Sequence, residues 1–424
     1  MLGPSDVSSL QRRKLGALLR EIGTANPFYR AKLSSIPFNP ERDDLSRLPF
    51  TTRAEIEADQ ANHPPYGTNL TYPLERFCRY HQTSGSGGRP VRWVDTPESW
   101  DWFKSCWRII LSAAGVTPND RLLFPFSFGP FIGFWAAFEG ASAVGCLCLP
   151  AGGMTTQARL KMLKENSVDF VFCTPTYALR MADAAHEEGI DLAGSSVRGL
   201  IVAGEPGGSI PEIKTRIERA WGARVFDHNG MTEIGSVGFE CQPAPGGLHV
   251  IESEFIAEVI DPQSGAVVAD GQTGELVLTN LGRWGSPLIR YRTGDLVRLK
   301  RGTCACGSSF ARLEGGILSR VDDMFIVRGN NVFPSAVEAV LRQFAEIAEF
   351  RVLVRDEGEM AQVRIEIEPG ENTVNGAELS ARVGRAVQSA LSFRAEVSAV
   401  SPGTLPRFEM KARRFVRESK RKEQ

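Results

Sequence analysis

Apolar positions recur at intervals of three and four from the start of the chain. Leu10, Leu15, Leu18, Leu19 and Ile22 share one face, so helical spacing runs through residues 6–35. The pattern returns over 97–114, where Trp100, Phe103, Trp107 and Ile110 form a stripe that reads as core packing rather than a cofactor box. From 121 the chain changes rhythm. "RLLFPF", "CLCLP", "VDFVFCTP", "VRGLIVAGEP" and "ARVFDHNGMTE" read as strands, the last with its exit loop. "FIGFWAAFEGASAVG", "TTQARLKMLKENS", "TYALRMADAAHEEG" and "SIPEIKTRIERAWG" read as the helices between them. Strand and helix in alternation predict a parallel sheet covered by helices. Ligands of such sheets bind at the carboxyl ends of strands, where "AGEP" and "NGMTE" fall. From about 246, apolar and polar residues alternate between "PQSG" and "DGQTG" turns, which predicts antiparallel strands. After "LSRVDDMFIVRGNNVFP" a short unit of helix, two strands and helix follows. The expected fold is α/β: a large N-terminal domain over 1–321 with mostly parallel sheets and a β-rich subdomain at about 246–318, then a small α+β domain over 322–424.

Composition narrows the function classes. The chain has 424 residues, and its 49 Lys and Arg nearly cancel 50 Asp and Glu. Such balance gives no electrostatic footprint for nucleic acid. No stretch approaches the roughly 20 apolar residues needed to cross a bilayer. The start of the chain has charges among its apolar residues, unlike a signal peptide. A soluble cytoplasmic protein is expected. Eight cysteines in a chain of this size, without an export signal, argue against a disulfide framework.

The candidate chemistry begins at "TSGSGGRP", residues 83–90. Glycine and serine at this density suit either a surface turn or a loop that wraps phosphates with backbone N–H groups and hydroxyls. The Gly-Lys-Ser/Thr ending of a P-loop is missing. Further on come "AGEP" at 203–206, "NGMTE" at 229–233, "YRTGDL" at 291–296, "SRVDDMFIVRGNNVFP" at 319–334 and "LPRFEMKARRF" at 405–415. In this order the segments resemble the acyl-adenylate-forming superfamily. With "PFYRAKL", "PLIRYRTGDL" and "RGNNVFPSAVE", the chain looks like its phenylacetate–CoA ligase branch.

The resemblance implies a carboxylate oxygen attacking the α-phosphate of ATP, then transfer of the acyl group to coenzyme A. Both adenylation partners are anions, so the site must neutralise and align them. Thr83, Ser84, Gly85 and Ser86 would hold the β- and γ-phosphates. Thr232 would donate to the α-phosphate and Glu233 would hold Mg²⁺. Gly204, Glu205 and Pro206 would line the adenine, with Asp227, His228, Asn229, Gly230 and Met231 beside them. Asp295 would accept from the ribose hydroxyls and Arg320 would contact ribose or phosphates. Asp322 would be the hinge of a mobile C-terminal domain. That domain would present Lys411 for adenylation, then "VRGNNVFP", with Arg328 and Gly329, for the CoA step. Arg413 and Arg414 read as surface charges. A homodimer is common in the branch, although no apolar patch in this sequence predicts one.

The acyl group is expected near Phe126, Phe128 and Phe131, against Ala203, Gly204 and Gly230. Aromatic faces at that density suit a flat ring better than a fatty chain, and some of these rings, Phe124 included, are also core material. Cys241, His249, Cys304 and Cys306 either complete a structural Cys₃His zinc site or are free thiols beside a surface histidine. Three positions depart from the family pattern. Gly87 stands where threonine is common, Asn229 where tyrosine stacks on adenine, and Ser319 where glycine precedes the arginine. A rival reading passes the acyl group to a carrier protein or an amine. Another is a nucleotide-binding protein without catalysis.

Overall fold

Strands Arg121–Phe124, Phe170–Cys173 and Gly199–Val202 carry apolar side chains at successive positions, so both of their faces must be kept from water. The structure, a computed structural model, describes residues 3–83, 90–323, 325–327, 330–357, 360–370, 375–408 and 413–418. In it Leu122, Phe124, Phe170, Phe172, Ile201 and Phe226 face one core, while Leu123, Val171, Cys173, Leu200, Val202 and Val225 face another. The alternation follows from the period of two along a strand. Helix Pro97–Ala114 covers the first face through Trp100, Phe103, Trp107 and Ile110, joined by Trp135–Val144. Helices Thr156–Glu165, Pro175–Glu187 and Pro211–Trp221 cover the second. Their limits are chemical. Thr96, Thr155 and Thr174 cap helix starts, and Gly115, Gly145 and Gly222 end helices in the left-handed conformation.

Five strands pair in parallel, in the order Leu147–Pro150, Arg121–Phe124, Phe170–Cys173, Gly199–Val202 and Arg224–Met231. The same sheet continues antiparallel through Gly235–Cys241, Ala244–Val250, Arg312–Glu314, Tyr291–Lys300, Thr273–Asn280 and Phe255–Ile260. Ser319–Arg320 pairs alongside Tyr291–Lys300. Antiparallel pairing therefore begins at Gly235, ahead of the alternation read from 246. Every residue of Gly235–Cys241 is buried, so that strand shows no polar face to read. The region read as strand and exit loop is strand through Met231, closing a hairpin whose tip is Thr232–Ile234.

The helical start is two helices, Pro4–Ala25 and Pro27–Leu33. Asn26 breaks them and caps the second by accepting from the Tyr29 N–H, where Pro27 has no N–H to donate. Leu18, Ile22 and Tyr29 pack with Leu48 and Ile289, tying this segment to the antiparallel half. After Arg320 a hairpin, Phe325–Val327 with Asn330–Val332, leads into a separate four-stranded sheet. Its order is Glu396–Ala399, Met360–Pro369, Ile347–Glu357 and Phe415–Glu418, with helices Pro334–Leu341 and Gly376–Leu391 packed into its own core. Among the described residues no helix is long and apolar enough to cross a membrane.

Candidate active site

The hairpin tip carries the first two site residues. Thr232 and Glu233 are both buried, and their carbonyls accept from Arg283 Nη1 at 2.9 and 2.7 Å. Arg283 is wholly buried and forks onto Asp95, Nε to Oδ1 at 2.6 Å and Nη2 to Oδ2 at 2.8 Å. The Trp93 and Phe103 rings flank the guanidinium at 5.1 and 5.0 Å. A rigid donor fork thus fixes the backbone that presents Glu233.

Arg53 faces that tip. It begins helix Arg53–Asn62, which Thr52 and Glu55 cap reciprocally. Its Nη1 donates to Glu233 Oε1 and its Nη2 to Thr83 Oγ1, each at 3.2 Å, while Nε holds Glu57 at 2.7 Å. Thr83 and Val91 exchange bonds: the Thr83 N–H reaches the Val91 carbonyl at 2.9 Å, and the Val91 N–H reaches Thr83 Oγ1 at 3.0 Å. These bonds close the mouth of the glycine-serine loop. Ser84, Gly85 and Ser86 lie outside the described residues, as do Arg328, Gly329 and Lys411.

Asp295 and Arg320 are cross-strand partners, with Nη1 and Oδ1 2.9 Å apart. The Asp295 N–H is held by Thr293 Oγ1 at 3.0 Å. Gly294 has φ +73°, a left-handed backbone that favours glycine, and the Arg320 guanidinium lies over it. Tyr291 begins the strand that carries Asp295 and is buried. Burial raises its phenol far above the usual tyrosine range, and Glu233, Arg53, Arg320 and Asp295 all act on it electrostatically. The charges of Glu233 and Asp295 thus both act on one buried phenol. Asp322 is exposed in the turn that follows.

The remaining strand-end residues form a third group. Glu205 accepts from the Thr176 N–H at 2.7 Å, within the segment formed by Ala203, Gly204 and Pro206. Asp227 accepts from Ser209 Oγ and from the His228 N–H, and its own N–H donates to Glu240 at 2.8 Å. Burial pushes its carboxyl up to about 7. His228 donates from Nδ1 to the Gly238 carbonyl at 2.7 Å, the direction a carbonyl acceptor requires. Burial lowers it to about 4, so the ring is neutral, 4.5 Å from Trp107. Asn229 lies across Gly238, where a Cβ would come within 2.3 Å of its Oδ1. Gly230 is equally tight: a Cβ there would meet the Gly235 carbonyl at 2.7 Å.

Phe126, Phe128 and Phe131 are half-buried, and Phe126 meets each of the other two edge to face with centroids 5.4 Å apart. Phe126, Phe128, Ala203 and Met231 all pack on the core that holds Trp107 and Phe134. Phe124 is wholly buried, stacked on Phe172 at 4.4 Å, and is core. Arg414 corrects an expectation. It is buried rather than a surface charge, because carboxylates within its own domain hold it there, Glu349 foremost. Arg413 is exposed.

Away from these groups, the candidate ligand atoms of Cys241, His249, Cys304 and Cys306 all lie within 4.8 Å of one another. Cys241 Sγ and Cys304 Sγ are 3.7 Å apart, and Cys306 Sγ is 3.5 Å from His249 Nε2. Tetrahedral zinc would separate two thiolates by about 3.8 Å and a thiolate from an imidazole by about 3.6 Å. His249 Nδ1 donates to the Phe310 carbonyl at 2.9 Å, leaving Nε2 as a lone-pair donor. The donor set fits zinc.

Sequence reasoning missed Arg53, Arg283 with Asp95, and Tyr291. The Thr-x-x-Glu box at 52–55 announces a helix start, but not that Arg53 turns toward Glu233. No local signal pairs Asp95 with Arg283.

Residues 74–282 match the AMP-binding enzyme family, and residues 329–418 match the AMP-binding enzyme C-terminal domain. The chain is 30% identical to a phenylacetate–coenzyme A ligase of Thermus thermophilus, over 95% of this chain and 94% of that one. A solved 2-hydroxyisobutyryl-CoA ligase in its postadenylation state, bound to 2-HIB-AMP, is similar at TM-score 0.91 and 28% identity, covering 98% of this chain and 89% of that one. The same ligase in its thioesterification state, with 2-HIB-AMP and CoA, is similar at TM-score 0.74 and 29% identity, covering 98% and 91%.

Proposed function

The chain belongs to the AMP-binding enzymes, on their phenylacetate–coenzyme A ligase branch, and from that premise we propose how its own residues activate an aromatic carboxylic acid. The enzyme is an acid–CoA ligase. ATP adenylates the acid, and CoA then takes the acyl group as a thioester.

In the first step a carboxylate oxygen attacks the α-phosphorus and pyrophosphate leaves. Both reactants are anions, so the barrier is chiefly electrostatic and orientational. Thr232 donates its hydroxyl to the α-phosphate. Arg53, between Thr83 and Glu233, offers its guanidinium to the β- and γ-phosphates at the mouth of the glycine-serine loop, where Ser84, Gly85 and Ser86 add their donors. Asp295 receives the ribose hydroxyls with Arg320 beside it, and Glu205 belongs to the segment along the adenine. Glu233 would hold Mg²⁺, which, when bound, supplies positive charge to the departing pyrophosphate; one carboxylate plus phosphate oxygens suits that ion. Lys411 bridges the carboxylate and ATP from the C-terminal domain.

In the second step the CoA sulfur attacks the acyl carbon and AMP leaves, with the segment of Arg328 and Gly329 turned toward the site about Asp322. Phe126, Phe128 and Phe131 receive the acid's ring. Cys241, His249, Cys304 and Cys306 would hold a structural zinc that pins the antiparallel strands and takes no part in the reaction.

The observation that carries this reading is the bonding of Arg53 to both Glu233 and Thr83 at 3.2 Å, with Arg320 and Asp295 paired at 2.9 Å. The test measures pyrophosphate release from Mg·ATP with a panel of aryl acids, then AMP and thioester after CoA is added. Pyrophosphate without thioester would move the acceptor to a carrier protein or an amine. Silence with every acid would reject adenylation.

A further inference from the structure

We propose that Arg414 is an orientation latch: it holds the C-terminal domain in its adenylating position by bonding the Thr176 hydroxyl, which sits beside the adenine-lining Glu205. The inference rests on the reading above and extends it to the control of the two half-reactions.

Arg414 immediately precedes the last strand of the C-terminal sheet, three residues beyond Lys411. Its carbonyl accepts from the Val352 N–H at 2.7 Å, so its backbone is fixed in the sheet. Its guanidinium has two sets of partners. Within its own domain, Nε and Nη2 fork onto Glu349 at 2.6 and 3.0 Å, Nη1 lies 3.6 Å from Glu338, and the Phe350 ring flanks it at 5.4 Å. Across the boundary, Nη1 donates to Thr176 Oγ1 at 3.2 Å. Thr176 stands in the first turn of helix Pro175–Glu187, and its N–H is the one that Glu205 accepts. A chain of two hydrogen bonds thus runs from Arg414 to the nucleotide segment. The domains also touch where Ala339 packs on the core beneath that helix, and where Ser335 Oγ donates to the Leu318 carbonyl.

This division of partners gives the bond its role. The whole chain fits a relative's postadenylation state more closely than its thioesterification state. Turning the C-terminal domain would leave every bond to Glu349 and Glu338 intact, because those residues travel with Arg414. The bond to Thr176 would break. Glu338 and Glu205 repel electrostatically across the same boundary, and the Arg414 charge acts on both. Separating the domains therefore exchanges one charge-assisted hydrogen bond for solvent, and re-docking restores it.

The test is Thr176→Val, which keeps the side chain's shape and removes the acceptor, with Thr176→Ser as the rescue. A hydrogen bond from a charged donor commonly shifts an equilibrium about tenfold or more. T176V should therefore slow ATP–pyrophosphate exchange about tenfold while thioester formation from supplied acyl-adenylate and CoA stays at the wild-type rate. T176S should restore exchange. Equal losses in both half-reactions, an unchanged exchange rate in T176V, or no rescue by T176S would each overturn the latch. A wild-type enzyme inactive in both half-reactions would overturn the functional reading, and the latch with it.

Discussion

Replacing Arg283 by methionine tests how the hairpin tip is held. The change roughly preserves volume, so a cavity is not the main consequence. It strips the counterion from Asp95, whose side chain is 0% exposed, and removes the donor from the Thr232 and Glu233 carbonyls. Breaking a buried ion pair by deleting one member costs about 3–5 kcal/mol. Two carbonyls deprived of a buried donor add roughly 1 kcal/mol each at the low end. The sum, about 5–7 kcal/mol, is comparable to the whole stability of many domains. At about 2–4 °C per kcal/mol for large domains, the first calorimetric transition should fall by roughly 10–30 °C. In Asp95→Leu/Arg283→Met no buried charge is left behind, and roughly half of that loss should return. Pyrophosphate release should stay low in the double variant, because the tip still lacks its donor. A single variant that melts within a few degrees of the wild type would refute the reasoning.

Asp227, pushed up to about 7 from 3.8, holds a proton when folded that the unfolded chain gives up at lower pH. Its contribution to stability is full below about pH 4 and is lost as pH rises through 7, up to roughly 4 kcal/mol. Asp227→Asn should flatten the decline in unfolding midpoint between about pH 4 and 7, and an unaltered slope would count against the buried proton. Arg53→Ala should raise KM for ATP about tenfold or less, the side chain being one-third exposed, and spare thioester formation from supplied adenylate. Equal effects on both steps would remove Arg53 from the phosphates. Elemental analysis of protein made with zinc should find about one zinc per chain, and Cys304→Ser or Cys306→Ser should lose the metal and lower the unfolding midpoint. Full-length protein free of zinc would reject the Cys₃His site.

The parallel half of the sheet was legible because its signals are local. Apolar runs of four, threonine caps and terminal glycines each act within a few residues. The start of antiparallel pairing was not, since a strand buried on both faces has no alternation to read. The same contrast divides the site. Thr232 and Glu233 sit at a hairpin tip, and Asp295 and Arg320 on short paired strands, beside glycines and short polar residues that leave a local trace. Arg283 meets Asp95 across most of the N-terminal domain, and Arg414 meets Thr176 across the domain boundary. Those pairings depend on topology, which no window of sequence contains. Arg414 was misread because a basic run near a chain end is usually solvated. Two carboxylates on the strand and helix beside it reverse that default.

The buried charges of the N-terminal domain share a trait that explains their retention. A buried ion pair seldom stabilises more than well-packed apolar residues of the same volume, so stability is a weak reason for keeping one. Each of these pairs also bonds the backbone. Arg283 holds the carbonyls of Thr232 and Glu233. Lys214 joins Glu240 to the Val225 carbonyl at 2.6 Å, and Glu240 receives the Asp227 N–H. Arg290 forks onto Glu258 and reaches the carbonyls of Ser46 and Leu48, just before the helix that carries Arg53. Apolar replacements could match the packing but could not bond a carbonyl or an N–H. Desolvation is thus offset by placing the strand ends, which must not shift when two anions are pressed together. In the C-terminal domain, Arg414 and Glu349 pair within one body, and the Thr176 hydroxyl takes the Arg414 bond across the boundary. On the two-position cycle proposed above, a domain that docks and releases would keep its buried charges only if they travelled with it. A crossing bond must therefore end on a neutral acceptor, because stranding a buried charge at every turnover would cost more than a hydroxyl returned to water.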